Sequence, residues 1–265
     1  MKLIKSIIIL GTVALFGSCS LDLEPISTPT ELTEGKPSDT ATAVLKDKAA
    51  AAAQLTNLYE LFRGRQEYSH LDLLAEADAH SDNAYGGGDG AEPKPFEKNG
   101  VDPTDYILSR DWSCYLEDIA QSNVLINGVA QLHDAGKLSD AEYHSYKAQG
   151  EIFRAIRMFN MARLWGSFPV ITTIAKSITY ENIDEVYPTY YPPRSTQEEC
   201  YKQILADLSD AEKYAPDFSS SDRTLMTKTV AQAMLAKVYA EKPVQDYAKV
   251  IEYAEKVRAA AGLGS

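Results

Sequence analysis

The sequence predicts an all-α protein made of antiparallel helical hairpins joined by long irregular loops. Three observations lead there. Apolar residues recur every three or four positions along successive stretches of the chain, the spacing that puts them on one face of a helix. Start signals, with Ser followed three residues later by Glu, precede two of these stretches, and Gly or Pro closes most of them. Small residues fall at apolar positions, where they let two helices pack closely.

Taken in order, residues 20–39 are polar, carry Pro25, Pro29 and Pro37, and read as an extended tether. From Thr42 to Phe62 the pattern is helical, with Leu45, Ala49, Ala52, Leu55, Tyr59 and Phe62 on one stripe and Gly64 at the end. Residues 65–76 read equally as a short helix or a strand. Residues 78–104, "DAHSDNAYGGGDGAEPKPFEKNGVDPT", show no period and form a long loop. A second long helix runs from Asp105 to Asp134, with Trp112, Tyr115, Ile119, Asn123, Ile126 and Ala130 on one stripe. After Gly136, a third starts at the Ser139–Glu142 capping pattern and runs to Trp165, burying Ile152, Ala155, Ile156, Phe159 and Ala162. Residues 167–194 are rich in Tyr and Pro and read as irregular chain laid over the body. Ser195 and Glu198 suggest a second capping box, behind which Tyr201, Ile204, Leu205, Leu208 and Ala211 face in. A helix over Lys228–Glu241 buries Ala231, Met234, Leu235 and Val238. The last starts near Asp246 and is expected to bury Tyr247, Val250, Ile251, Ala254 and Val257. These hairpins look like a degenerate tetratricopeptide-type array, since no clean repeat of 34 residues is present.

With 265 residues, 45% of them hydrophobic, the chain can bury a sizeable core in one large domain or two small ones. Its formal net charge is -12. Such a surface repels nucleic acid and anionic headgroups, which argues against DNA or RNA as partner. Of the three cysteines, Cys114 and Cys200 fall inside predicted helices, as buried thiols or as a disulfide pair.

The N-terminus carries a separate message. Lys2 and Lys5 precede a short apolar run that ends in "FGSCS". A basic start, a short apolar middle and small residues at the end describe a secretory signal peptide over residues 1–18. A cysteine directly behind the small pair resembles a bacterial lipobox, with Phe16 where Leu is usual. That resemblance implies a diacylglycerol thioether on Cys19, cleavage before it, acylation of the new amine, and a lipidated tether over residues 19–39.

Chemistry-bearing residues are sparse. Asp82, Asn83 and Tyr85 stand together ahead of Gly86, Gly87 and Gly88. An aromatic face stacks on the C–H face of a pyranose, and planar polar groups bond its hydroxyls. The same residues equally suit a turn, with Tyr85 packed on the body. Asp78, Asp82, Asn83 and Asp89 can offer oxygens to calcium, but their spacing departs from the EF-hand pattern; no metal or cofactor is expected. His70, His80, His133 and His144 form no HExxH, and His80 reads as a surface residue. Tyr180, Tyr187, Tyr190 and Tyr191 serve either as a stacking platform or as staples for an irregular segment. Trp112 and Trp165 read as core, and Arg194 as the partner of a carboxylate.

Several stretches then fall in one order: "SCSLDLEP", "AEADAHSDNAYGG", "WSCYLEDIAQSNVLI", "AQGEIFRAIRMFNMARLWGSFPVIT", "YPPRSTQEECYKQILADLSDAEKYAP" and "DRTLMTKTVAQAMLAKVYAEKPVQDYAKVIEYAEKV". This succession resembles the SusD/RagB-like family of Bacteroidetes outer-membrane nutrient-binding lipoproteins, with the "FRA…LWGSFPV" and "RST…Y…ILADL…A" blocks the most specific. The resemblance covers nearly the whole chain and implies an N-terminal half, with more chain after Ser265. It implies a non-enzymatic lipoprotein on the cell surface, anchored in the outer membrane through Cys19. Such a protein binds oligosaccharide and covers a SusC-like TonB-dependent transporter, and its tetratricopeptide-like helices over residues 40–265 act as scaffold. Asp82, Asn83 and Tyr85 are the glycan-binding candidates. Two rivals stand: a helical-repeat adaptor for peptides or proteins, and a surface glycosidase. The latter needs two carboxylates about 5–5.5 or 6.5–9.5 Å apart at one cleft, and no motif singles out a pair.

Overall fold

The computed structural model describes residues 45–64, 75–88 and 93–262. The proposed signal peptide, Cys19 and the tether lie outside them. Among the described residues the regular structure is entirely helical: α1 (Lys48–Gly64), α2 (Lys94–Glu97), α3 (Tyr106–Asp134), α4 (Asp140–Trp165), α5 (Ile183–Val186), α6 (Gln197–Tyr214), α7 (Lys228–Ala240) and α8 (Tyr247–Ala260). A π-helical turn, Ala75–Ala79, and a 3-10 turn, Tyr187–Tyr190, lie in the connecting segments. No helix among the described residues is long and apolar enough to cross a membrane.

The long helices start and stop where side chains satisfy their orphaned backbone groups. Asp105 accepts from the Ile107 amide at the head of α3. At its tail, Gly136 N donates to His133 O and Lys137 N to Leu132 O, both at 2.8 Å, the paired bonds of a Schellman turn. Ser139 and Glu142 form the expected reciprocal capping box of α4. The box that opens α6 lies one residue further on than expected. Thr196 is the cap and Glu199 its partner, while Ser195 Oγ accepts instead from the Val170 amide at 3.2 Å. "STQEE" offers both frames, and the backbone contact to residue 170 decides between them.

Helix α4 is central. It packs against α3 on one side and α6 on the other, and α1 lies across both α3 and α4. Its residues 148–155 are buried without a break. The hairpins are antiparallel, as paired contacts show: Asn123 meets Arg154, Asp118 meets Arg157 and Trp112 meets Trp165. Helix α7 packs on α6, and α8 on α7, with Tyr239 and Tyr253 stacked at 5.8 Å. Close approach of α3 to the chain ahead of α1 requires Gly128, since a Cβ there would lie 2.6 Å from Leu45 Cγ.

Two expected apolar stripes are displaced. In α1 the buried residues are Ala51 and Leu58, whereas Ala49 and Ala52 are exposed. The run "AAAAA" contains no contrast between faces, so Leu58 and the neighbours of α1 set its rotation. In α8 most of the expected stripe faces outward: Tyr247 is 59% and Ile251 65% exposed, Ala254 is exposed, Val250 and Val257 are half-buried, and only Tyr253 is buried. That helix packs chiefly against α7. Its rotation follows the Tyr239–Tyr253 stack and the Tyr253 and Lys256 bonds to Glu212, at 3.2 and 3.0 Å.

The core contains charge as well as hydrocarbon. Arg154, 4% exposed, donates to Asp207 through Nε and Nη2 at 2.8 and 2.7 Å and to Asn123 Oδ1 through Nη1 at 2.8 Å. Arg157 pairs with Asp118 at 2.8 Å and lies over the rings of Phe62 and Tyr115. Lys147 bridges Glu151, at 2.6 Å, and Asp210. Cys200 is fully buried with its thiol 3.5 Å from Phe168 O, and no disulfide joins it to Cys114.

Arg154→Ala leaves the Asp207 carboxylate and the Asn123 carbonyl buried without their partner. It is expected to cost about 3–5 kcal/mol, the penalty for breaking a buried ion pair from one side. Arg154→Met combined with Asp207→Leu is expected to cost far less, because both charges go together. Urea unfolding of the two variants tests the difference; equal losses would show that lost volume, rather than orphaned charge, sets the cost.

Burial pushes the Glu151 carboxyl from 4.5 up to about 8, against the Lys147 ammonium and with help from the charges of Asp207 and Asp210. The folded state therefore holds a proton that the unfolded chain has released above 4.5. Stability from this group falls as pH rises from there to about 8. Urea midpoints measured at pH 5 and pH 8 are expected to differ more in the wild type than in Glu151→Gln, which cannot ionise.

Candidate functional site

Two places on the surface carry chemistry. The first is the loop behind the π turn. The Asn83 and Ala84 amides both donate to Asp78 O, at 2.8 and 3.0 Å, which folds residues 78–84 into a tight turn. Asp82 sits there at φ 62°, a left-handed conformation that Asp and Asn tolerate better than other side chains. Asn83 Nδ2 donates to Ser81 Oγ at 2.9 Å. Both side chains are exposed. The turn therefore brings Asp82, Asn83 and Tyr85 to one solvent-facing stretch, and Tyr85 is 75% exposed rather than packed on the body.

Short helix α2 braces this loop. It packs on the π turn, with Phe96 buried at 3% exposure. From the same short helix Glu97 Oε2 accepts the Gly86 amide at 2.8 Å, and Lys94 Nζ lies 3.0 Å from the Glu97 carboxylate. The Lys94 hydrogen bond and the Gly86 amide hold the Glu97 carboxyl below its usual range. A Cβ at Gly86 would meet Glu97 Oε2 at 2.8 Å, so glycine is what allows the clamp. Lys94 also reaches the Tyr85 ring, with its ammonium 4.6 Å from the centroid. His80 is exposed, as expected, and Asp89 lies outside the described residues. Among the described residues, no three His, Cys, Asp or Glu side chains converge as metal ligands do.

The second place is a cleft of about 490 Å³ lined by Pro103, Leu108, Ser109, Trp112, Ser113, Trp165 and Arg194. It corrects two expectations. Trp112 and Trp165 pack against the core but are half-buried, at its edge rather than inside it. They meet edge to face at 5.5 Å, and Trp165 meets Tyr115 in the same way at 5.7 Å. Arg194, expected to pair with a carboxylate, instead holds its guanidinium 5.5 Å from the Trp112 ring centre. The antiparallel hairpin explains the meeting: Trp112 is near the start of α3 and Trp165 is the last residue of α4, so both lie at one end. Segment 167–195 then returns to that end. The Asn123 and Asn127 amides donate to Ile171 O and Thr172 O at 2.9 and 3.0 Å, and Ser195 N donates to Phe168 O at 3.1 Å. The only sequence signal for this cleft was the end-to-end placement of two tryptophans on consecutive predicted helices.

The tyrosines of the same segment do not act as buried staples. Tyr180 is 95% and Tyr191 70% exposed, while Tyr190 Oη donates to Lys176 O at 2.7 Å.

Against known proteins, residues 36–240 match the model of a SusD-like family described as "Starch-binding associating with outer membrane". A SusD-like protein of Bacteroides ovatus is 28% identical over 242 residues, covering 89% of this chain but 39% of its own length. SusD-like protein P2 of Formosa agariphila is 31% identical over 128 residues, 48% of this chain and 23% of that protein. Among solved structures, a laminarin-binding SusD-like protein superposes with a TM-score of 0.64 at 23% identity over 80% of this chain and 44% of its own. A SusD superfamily protein of Bacteroides thetaiotaomicron gives 0.65 at 17% identity over 83% of this chain and 49% of its own. The chain thus spans less than half the length of the relatives it matches, and the structural likeness is one of fold. With residues 36–240, most of its length, matched by the family model, the chain belongs to the SusD-like family.

Proposed function

We propose that this chain is the helical part of a cell-surface lipoprotein that binds oligosaccharide, without catalysis, and presents it to a SusC-like TonB-dependent transporter. The match of residues 36–240 to a family described as starch-binding and outer-membrane-associated carries this reading. The laminarin-binding relative by its name supports a glucan or similar glycan as ligand. In this reading Cys19 carries the lipid, and an acidic chain, with a formal net charge of -12 over its full sequence, is held at the membrane by acyl chains rather than by headgroup attraction.

The braced loop supplies a means of contact. Lys94 occupies one side of the Tyr85 ring, and a pyranose C–H face stacks on the other. The Asp82 carboxylate accepts hydrogen bonds from sugar hydroxyls, and the Asn83 amide both donates and accepts. Because the Glu97 clamp already fixes the backbone at Gly86, little loop freedom is left to be lost on binding. Glu97 is poorly suited to general-acid chemistry, since Lys94 and the Gly86 amide favour its ionised form. That weighs against a glycosidase at this loop.

The whole protein, tagged and bound to a glycan array, is expected to retain oligosaccharide and not free peptide. Tyr85→Ala is expected to weaken retention about tenfold, within the range for loss of one stacking ring. Retention of peptides alone would favour the adaptor reading, and release of shortened sugars would favour the glycosidase. The transporter is expected to co-purify with the tagged protein from outer membranes.

A further inference from the structure

The cleft between Trp112, Trp165 and Arg194 is not explained by the scaffold. The chain has 38 acidic residues against 26 basic ones, so an exposed arginine has abundant carboxylates to choose from. Most described cations take one: Arg154, Arg157, Arg163, Lys147, Lys228, Lys249 and Lys256 all pair with Asp or Glu. Arg194 takes the face of Trp112 instead, and none of the residues lining the cleft is acidic. The lining of the cleft thus carries one positive side chain and no negative one.

Its geometry is fixed from both sides. Pro192 and Pro193 restrict the backbone that delivers Arg194. Ser195 then fastens the next residue to Phe168 and Val170, at 3.1 and 3.2 Å. A guanidinium held over an indole by a cation–π contact, as Arg194 is at 5.5 Å, can still donate from its N–H groups, in a planar fork that matches the two oxygens of a carboxylate or sulfate. The indoles of Trp112 and Trp165 offer apolar rings, and Ser109 and Ser113 bring hydroxyl groups to the rim. A volume of about 490 Å³ is within the usual range for small-molecule sites.

We infer that this cleft is a binding subsite for a sugar unit carrying an anionic group, a carboxylate or a sulfate, with Arg194 on the anion and an indole against the ring. The inference rests on the glycan-binding reading and narrows it to acidic glycans. It is separate from the Tyr85 loop, which contains no tryptophan.

The test uses a property of the sequence: both of the tryptophans in the chain line this cleft. Intrinsic tryptophan emission of the whole protein is followed during titration with four probes. These are oligogalacturonate, its fully methyl-esterified form, a sulfated galactan oligosaccharide and its desulfated form. One acidic probe is expected to shift the emission and to bind at least about tenfold more tightly than its neutral counterpart, the scale of one charge-assisted hydrogen bond. Whichever acidic probe does so identifies the anion. Arg194→Gln, at an exposed position, is expected to keep the wild-type melting temperature and to lose that preference; Arg194→Lys is expected to restore only part of it. Equal binding of acidic and neutral probes, or acidic binding unchanged in Arg194→Gln, would overturn the inference and leave glycan binding intact. Binding of no sugar by emission or by calorimetry would overturn both.

Discussion

A single buried guanidinium organises this scaffold. Arg154 sits in the middle of α4, doubly bonded to Asp207 of α6 and singly to Asn123 of α3. Removing such a charge from water costs several kcal/mol, and only a fully bonded arrangement offsets it. The pair therefore contributes position more than net stability: it holds helices α3, α4 and α6 in the register in which the guanidinium meets both Asp207 oxygens and the Asn123 carbonyl. Gln203 adds a further bond to Asp207 at 2.7 Å. Asn123 passes the constraint on. Its carbonyl must face the guanidinium, so its amide must point the other way, where it donates to Ile171 O at 2.9 Å.

That second bond connects the core to the surface. The segment after α4 has little regular structure, and its carbonyls need donors. Asn123 and Asn127, one helical turn apart on α3, supply them at residues 171 and 172. Ser195 supplies the return contact near Phe168 and Val170. Arg194 thus reaches Trp112 because a hydrogen-bond chain runs from a buried ion pair to the neighbouring backbone. Loops that hold functional groups are commonly the least stable parts of a protein. Here the irregular segment is tied at both ends to the least deformable part of the body, while its middle, around Tyr180, stays exposed.

How much of this was legible in the sequence depends on which force fixed each feature. Helix starts were legible where a cap closes locally, as at Asp105 and Ser139. The cap at Thr196 was misplaced by one residue because "STQEE" offers two frames and a tertiary contact to Val170 chooses. The stripes of α3 and α6 were legible because aromatic and branched residues alternate with polar ones. That of α1 was not, since alanines carry no phase, and that of α8 was not, since a polar contact of Tyr253 and Lys256 with Glu212 outweighed the apolar face of Tyr247 and Ile251. The buried charges of α4 are hidden from any periodicity argument. Arg154, Arg157 and Glu151 look like a solvated face until α3, α1 and α6 enclose them. The turn around Asp82, Asn83 and Tyr85 was legible as a loop, but not the Glu97 and Lys94 brace beneath it, which joins residues across the sequence.

The tryptophan cleft was missed for an instructive reason. Large aromatics on an apolar helix face are usually core, and hydrophobic area alone would bury them. An antiparallel hairpin, however, has an end, and residues there lack the neighbours that enclose the same face at mid-helix. Trp112 and Trp165 shield each other edge to face, which leaves one side of the pair to be covered by something else. A carboxylate-bound Arg can cover a ring too, as Arg157 does over Phe62 and Tyr115 while paired with Asp118, but part of its N–H edge is then spent on the carboxylate. Arg194 covers Trp112 in a cleft whose lining contains no acidic residue, which leaves its N–H groups available. The cover is therefore itself a donor, and the cleft it lines is shaped for an anion rather than sealed against solvent.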